Sequence, residues 1–208
     1  MKALELTELY YGENIDLLIG AYNSLGLVYH DRGEYQKALD CFFKYVEPVK
    51  LAIGENHLRI ATCYNNIGGV YQSQKEYNGA LEYYFKAIKI AKILQGDSHP
   101  QVANYYNNVG VVYDSQKEYA KAREYYNKCL EIYKSIFGEN DLRLAMVYGN
   151  IGDLYNNQGE YDKALRYHFK SMEIYNFVYG KDNPRGMVNL ISLGLVYKNQ
   201  GEFEKALE

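Results

Sequence analysis

The amino-acid sequence repeats itself every 42 residues without a single insertion or deletion. One column of the repeat holds five tyrosines, at Tyr29, Tyr71, Tyr113, Tyr155 and Tyr197. A second column holds five glycines, at Gly12, Gly54, Gly96, Gly138 and Gly180. A fixed period of this size is typical of a solenoid, in which each unit packs only on its neighbours. We therefore expect function to lie on one face of the repeat and not in a single pocket.

Composition limits the classes of partner. The chain has 208 residues, of which 48% are hydrophobic, and a formal net charge of -3. This charge disfavours nucleic acid, which prefers basic surfaces, and no polybasic segment is present for anionic membranes. The apolar runs are far shorter than the roughly 20 residues of a membrane-spanning helix. The N-terminal residues MKALELTELYY include acidic residues and do not resemble a signal peptide.

The cysteines indicate a reducing compartment. They are Cys41, Cys63 and Cys129, an odd number without a C-x-x-C motif, and all three fall inside predicted helices. Such cysteines are expected to be buried free thiols, and the chain is expected to be cytoplasmic.

Each repeat is predicted to contain two antiparallel helices of about 17 residues. The first helix begins after a residue of the N-cap set, at Asn14, Asn56, Ser98, Asn140 or Asp182. In the third repeat the second helix begins near Tyr119 and ends before Gly138, where glycine is expected to form a left-handed C-cap. Pro48 lies inside a predicted second helix and is expected to kink it or end it early, near Tyr45 to Pro48.

Small residues recur where the two helices of a repeat should touch. Alanines form one such column, at Ala38, Ala80, Ala122, Ala164 and Ala206, and glycines form another, at Gly26, Gly68, Gly110, Gly152 and Gly194. A mid-helix glycine costs roughly 1 kcal/mol relative to alanine, so five at one phase predict a close helix contact.

These columns resemble the tetratricopeptide repeat (TPR) motif, W-x2-L-G-x2-Y followed by A-x3-F and a final proline. The first repeat matches it, with tyrosine for tryptophan, at Tyr22, Leu25, Gly26, Tyr29, Ala38 and Phe42, and His168 takes the aromatic slot in the fourth. The final proline is absent and the period exceeds 34, so the second helix is expected to run about two turns further. The G-x-x-H-P-x-V-A junction resembles the kinesin-light-chain type, at Gly96, His99, Pro100, Val102 and Ala103.

The resemblance implies an all-α, right-handed superhelical solenoid of antiparallel helix pairs. The first helix of each pair would line a concave groove that binds extended peptides of partner proteins. One domain is predicted over 1–208, with full repeats at 19–60, 61–102, 103–144 and 145–186 and partial repeats at 1–18 and 187–208. Residues 1–11 align with the back half of a second helix, so the chain is expected to begin and stop mid-helix. A segment of a longer array, with possible head-to-tail self-association through its ends, is therefore predicted.

Two columns of asparagine fall on the predicted groove face. They are Asn23, Asn65 and Asn107 in the first column and Asn66, Asn108 and Asn150 in the second. An amide both donates and accepts hydrogen bonds, so such columns could hold an extended peptide backbone whatever its side chains. The resemblance supports peptide contact for the second column. Alternatively, the asparagines brace neighbouring repeats or face water.

Charged residues of the groove face set the kind of peptide that is expected. His30, Asp153 and Lys198 complete the predicted peptide-binding set, and Asp31 and Asp114 share the face. One positive charge against three negative ones disfavours a strongly acidic peptide and a clamp for a C-terminal carboxylate.

No sequence feature predicts catalysis, a cofactor or a metal. The four histidines are scattered and no pair has i, i+4 ligand spacing. No nucleophile elbow, phosphate loop or paired-carboxylate motif is present. The sequence predicts a non-enzymatic protein-interaction scaffold. Two alternatives are a sensor or regulatory TPR module of a larger signalling protein and a structural array that assembles head to tail.

Overall fold

The computed structural model describes residues 15–180 and 187–206, and side chains from Gly20 onward apart from 52–53 and 187–189. This part of the chain forms nine α-helices and no strand, which confirms the all-α repeat array. The helices are α1 Ile15–Asp31, α2 Tyr35–Ile53, α3 Leu58–Ser73, α4 Tyr77–Gln95, α5 Pro100–Ser115, α6 Tyr119–Phe137, α7 Leu142–Asn157, α8 Tyr161–Tyr179 and α9 Met187–Gln200. The predicted caps at Asn14 and Asp182, and the helix half at 1–11, lie outside the described residues.

The chain divides into an N-terminal unit, Met1–Tyr105, and a C-terminal unit, Tyr106–Glu208. In the N-terminal unit, α1 packs on α2, α2 on α3, and α3 on α4. In the C-terminal unit, α6 packs on α7, α7 on α8, and α8 on α9. Each unit is thus built from helix hairpins in which a first helix packs on its own second helix.

The first helices are capped one residue later than predicted. The capping side chains are those of His57, His99 and Asp141. Asp141 Oδ1, for example, accepts a hydrogen bond from the backbone N–H of Arg143 at 2.9 Å. The predicted caps Asn56, Ser98 and Asn140 are wrong, because the residue directly before the helix is the one that reaches the N–H two positions on.

The described second helices α2, α4, α6 and α8 are each 19 residues long and begin at a tyrosine. The predicted start at Tyr119 and end before Gly138 are confirmed. Gly138 has a φ of 77° but a ψ of -177°, so the predicted left-handed cap is wrong. This region of φ and ψ is essentially restricted to glycine. The glycine column is therefore explained by this conformation and not by the left-handed one.

Helix α2 continues through Pro48 to Ile53, so the predicted early end is wrong. Pro48 is buried, and its neighbours Val46 and Val49 are 2% and 1% exposed. Burial of these side chains offsets the backbone hydrogen bond that proline removes. The predicted kink stays a prediction.

The predicted close contact between the two helices of a hairpin is observed at the glycine column, where in four repeats the glycine faces an aromatic ring of the second helix. A Cβ atom on the glycine would lie 2.6 to 2.7 Å from the nearest atom of that ring. The pairs are Gly26 with Phe42, Gly68 with Tyr84, Gly110 with Tyr126 and Gly152 with His168. Four residues of the alanine column have no exposed surface, namely Ala38, Ala80, Ala122 and Ala164. Small residues therefore allow the two helices to approach closely.

The turn between the two helices of a hairpin needs a positive φ. Glycine meets this need at Gly33 and Gly159, with φ of 74° and 75°, whereas Lys75 and Lys117 adopt φ of 62° and 61°. A side chain in this region costs about 1 kcal/mol, which glycine avoids. We expect Lys75→Gly and Lys117→Gly each to raise the free energy of unfolding by about 0.5 to 1 kcal/mol.

Urea unfolding of the two variants measures this effect. Lys89→Gly is the matched control, because Lys89 is exposed in the interior of α4, where glycine should destabilise by about 1 kcal/mol. A loss of stability in Lys75→Gly would contradict the assignment.

Candidate peptide-binding faces

Asparagine side chains join neighbouring first helices within each unit. In the N-terminal unit, Asn66 Nδ2 on α3 donates to Asn23 Oδ1 on α1 at 3.2 Å. In the C-terminal unit, Asn150 Nδ2 on α7 donates to Asn107 Oδ1 on α5 at 2.9 Å. Both bonds span 43 positions, one repeat and one residue, and all four side chains are half-buried. We call these two bonds the amide pairs.

A second line of bonds lies seven residues further along the same helices, which is two helical turns. His30 Nε2 lies 2.9 Å from Ser73 Oγ in the N-terminal unit. In the C-terminal unit, Asn157 Nδ2 donates to Asp114 Oδ1 at 3.4 Å and Asn199 Nδ2 donates to Asn156 Oδ1 at 3.1 Å. Each of these bonds again spans 43 positions. The predicted face is therefore one on which polar side chains link adjacent first helices.

The amide pairs bear on the two interpretations of the asparagine columns. Bracing of neighbouring repeats is observed for Asn23, Asn66, Asn107 and Asn150. A primary amide carries two N–H donors and two acceptor lone pairs, and the bond within a pair uses one of these on each side chain. Bracing thus fixes the orientation of the amides and leaves bonding capacity on each. Their contact with a ligand, and that of the half-buried Asn65 and Asn108, stays a prediction.

Apolar side chains on this face are exposed. Leu27 on α1 is 40% exposed, Met146 on α7 is 53% exposed, and Ile191 on α9 is 63% exposed. An open cavity of about 580 Å³ in the C-terminal unit is lined by Leu190, Ile191, Gly194, Leu195, Lys198, Phe203 and Ala206. Lys198, a predicted site residue, therefore lies at the edge of an apolar surface.

The sequence prediction missed two residues of this cavity, Leu190 and Phe203. The signal was present in the repeat, because Leu190 replaces the motif tyrosine and Phe203 replaces Tyr161 of the preceding repeat. Both changes remove a hydroxyl from the surface.

Charge concentrates at one place in the C-terminal unit. Burial raises the pKa of Asp153 to about 6, and the nearby Asp114 carboxylate adds to the rise. Burial also raises the pKa of Asp114, against the lowering effect of the Asn157 hydrogen bond. The Asp153 side chain keeps 58% of its surface exposed, so its carboxylate is accessible from solvent. The face is thus locally acidic.

A buried histidine adjoins these carboxylates. His168 is 1% exposed, and its Nε2 lies 3.5 Å from Asp153 Oδ1. Neither ring nitrogen has a hydrogen-bond partner, and burial lowers the pKa of His168 to about 4. The imidazole is therefore neutral at pH 7.

The remaining sequence predictions concern chemistry away from this face. Cys41, Cys63 and Cys129 are buried free thiols, as predicted. The described residues contain no group of three side chains suited to hold a metal ion. Within the same residues, no helix is both long enough and apolar enough to cross a bilayer.

Comparison with solved structures identifies related folds. BtubC (BKLC) from P. vanneervenii is 24% identical with a TM-score of 0.78, over 99% of this chain and 83% of that one. A kinesin-light-chain-type protein of Podosopora anserina with nearly identical TPR-like repeats is 14% identical with a TM-score of 0.74, over 91% and 90%. A Rap protein complexed with competence and sporulation factor is 17% identical with a TM-score of 0.76, over 92% of this chain and 51% of its own.

Sequence comparison gives the family directly. No curated protein matches the chain. Models described as tetratricopeptide repeat match residues 18–42, 59–135 and 143–208, which is more than half of the sequence. The chain belongs to the tetratricopeptide repeat family.

Proposed function

We propose that this protein is a cytoplasmic, non-enzymatic scaffold that binds an extended peptide segment of a partner protein along its first helices. The observation that carries the proposal is the pair of oriented amides in each unit, Asn23 with Asn66 and Asn107 with Asn150. A Rap protein of the same fold has been solved in complex with competence and sporulation factor, which supports a protein-interaction role for this type of repeat.

The amides suit an extended backbone. A peptide in extended conformation presents N–H and C=O groups to both sides, and an amide can donate to one and accept from the other. The bonds within the amide pairs restrict the side chains before a ligand arrives, which reduces the entropy lost on binding. Each direct bond to a peptide contributes about 0.5 to 1.5 kcal/mol.

Amide bonds alone do not give micromolar affinity, which requires roughly 8 kcal/mol. The remainder has to come from apolar contacts, at about 25 cal/mol per Å² of buried apolar surface. Leu27, Met146, Ile191 and Leu195 are exposed large apolar side chains on first helices. We infer that these side chains receive apolar residues of the partner, while the amides hold its backbone.

The triple variant Asn66→Ala, Asn108→Ala and Asn150→Ala tests the proposal. The probe is a set of peptides selected from a random display library on the wild-type chain and labelled for fluorescence anisotropy. We expect the variant to bind them about tenfold to a hundredfold more weakly, because three backbone contacts are removed.

Two controls separate ligand contact from bracing. Asn127→Ala removes an exposed asparagine from the second helix α6 and should leave the affinity unchanged. Thermal unfolding of the triple variant shows whether the repeats remain folded at the temperature of the assay. Unchanged affinity in a folded triple variant would rule out the predicted role of the second asparagine column.

A second candidate function is a regulatory TPR module within a larger signalling protein. It is favoured by one observation, that this chain covers only 51% of the Rap protein to which its fold is similar. Head-to-tail self-association also stays a prediction, which the molar mass measured over a concentration series would test.

A further inference from the structure

We propose that the C-terminal unit holds a subsite for a cationic side chain of the bound peptide, arginine above all, formed by Asp114, Asp153 and His168. The inference rests on the proposed function, because it specifies what a peptide on this face would carry. Asp114 lies on α5, Asp153 on α7 and His168 on α8, and all three residues belong to the C-terminal unit.

The buried histidine is aimed at the carboxylates. His168 Nε2 lies 3.5 Å from Asp153 Oδ1, which is beyond hydrogen-bond distance, and the ring is 1% exposed. A buried polar group without a partner costs about 1 to 3 kcal/mol. Such a cost is relieved when a bound cation holds the Asp153 carboxylate within hydrogen-bond distance of the ring, where the carboxylate accepts the N–H of the neutral imidazole.

The same slot in the N-terminal unit is satisfied by the chain itself. Tyr84 occupies the position of His168, and its hydroxyl donates to Gln72 Oε1 at 2.8 Å. Asp153 corresponds to Gly69 in that repeat, so the N-terminal unit has no carboxylate at this place. A buried ring without a hydrogen-bond partner beside a carboxylate is thus found at this position in the C-terminal unit and not at the equivalent position in the N-terminal unit.

The two carboxylates lack a compensating cation of their own. In the described part of the chain, no lysine or arginine is ion-paired with Asp114 or Asp153. The Asp114 charge disfavours ionisation of Asp153, so the two carboxylates repel each other. A cation placed between them would replace this repulsion by attraction at a partly desolvated site.

Guanidinium fits this arrangement better than other cations. Its planar fork of donors can bind carboxylate oxygens in pairs, and it is more weakly hydrated than an ammonium group. An acidic side chain would meet two like charges here. The subsite therefore predicts a partner segment with arginine where it crosses α5 and α7.

The test uses N-acetyl-arginine amide and N-acetyl-citrulline amide, which have nearly the same shape and differ in charge. Each is titrated into the whole chain at low salt, and binding is followed from the amide NMR signals of Asp114, Asp153 and their neighbours. We expect saturable shifts with the arginine compound and at least tenfold weaker binding of the citrulline compound. Equal binding of both compounds, or no shifts with either, would overturn the inference.

Two variants and one control variant complete the test. Asp153→Asn should weaken binding of the arginine compound at least tenfold, and Asp114→Asn should do so as well. Asp31→Asn removes an exposed acidic residue of α1 in the N-terminal unit and should have no effect. Because the small compounds need no backbone capture, failure here is distinguishable from failure of the proposed function, which is measured with the asparagine variants and selected peptides. Undiminished binding in Asp153→Asn would also overturn the inference.

Discussion

Replacing His168 with tyrosine is expected to stabilise the protein by about 2 kcal/mol at pH 7, and by more at pH 5. His168 stands in a slot that Phe42, Tyr84 and Tyr126 occupy in the other repeats, each against a glycine of its hairpin. The buried imidazole has no hydrogen-bond partner, which costs about 1 to 3 kcal/mol. In the second repeat the Tyr84 hydroxyl donates a hydrogen bond to Gln72. A tyrosine at position 168 would place its hydroxyl at the equivalent point, where Asn156 stands in place of Gln72.

The sign of the change in stability with pH follows from the pKa of His168. Burial lowers the pKa of His168 from 6.5 to about 4, so below pH 6.5 the unfolded chain binds a proton that the folded chain does not. Stability from this group is therefore lost as pH falls from about 6.5 to about 4, by up to about 3 kcal/mol.

Protonation of Asp153 changes the free energy of unfolding in the opposite direction. Its pKa is raised to about 6, so between about pH 6 and pH 4 the folded chain binds more protons at this carboxyl than the unfolded chain does. This adds stability as pH falls. Because 58% of the Asp153 side chain is exposed, solvent weakens the contribution and the His168 effect should dominate.

Urea unfolding at pH 7 and pH 5 measures both effects. Wild type should lose stability between these values, whereas His168→Tyr and His168→Phe should lose much less. Asn127→Ala changes an exposed residue of α6 that does not titrate and should keep the wild-type pH dependence. A wild-type pH dependence in His168→Phe would contradict the assignment.

Substituting Gly68 with alanine is expected to lower the free energy of unfolding by about 2 kcal/mol. The new Cβ would lie 2.7 Å from the Tyr84 ring and 3.2 Å from the Ala80 carbonyl oxygen. Tyr84 is 2% exposed and cannot move into solvent without loss of its packing. Forcing an extra methyl group into a packed site costs typically 1 to 3 kcal/mol.

The adjacent glycine gives a matched comparison. At Gly69 the nearest atom to a new Cβ is the Tyr84 hydroxyl oxygen at 3.8 Å, so alanine fits there. Gly69→Ala should be neutral or stabilising by up to about 1 kcal/mol, because alanine is the better helix former. Thermal or urea unfolding of the two variants is the measurement, and equal effects would contradict the assigned hairpin contact.

The repeat predicted most of the fold, because a column that recurs at one phase reports the same contact several times. The tyrosine starts of the second helices and the glycine and alanine contacts followed from such columns. The capping residues did not, since asparagine at 56 is a stronger capping residue than His57 and asparagine at 140 is about equal to Asp141. A shift by one residue then depends on the conformation of the preceding loop. Pro48 was misjudged because propensity is local, whereas the burial of Val46 and Val49 comes from packing.

The candidate site was predicted in part. Helical spacing placed the asparagines on one face, but the bonds between residues 43 positions apart arise from packing of adjacent repeats, which periodicity alone does not describe. The repeat places His168 in the aromatic slot of the motif and Asp153 on the predicted groove face, and nothing in the sequence indicates that the two meet. Their approach to 3.5 Å depends on the seating of α8 against α7. Contacts between polar side chains of different helices were therefore the part that the sequence could not supply.

The central claim, that an extended peptide lies along the first helices, is tested most directly by cross-linking. A peptide selected on the wild-type chain would carry a photoreactive group at each position in turn, and mass spectrometry would locate the linked residues. The account predicts links on α3, α5 and α7, beside Asn66, Asn108 and Asn150. Links confined to the second helices α2, α4, α6 and α8 would contradict it.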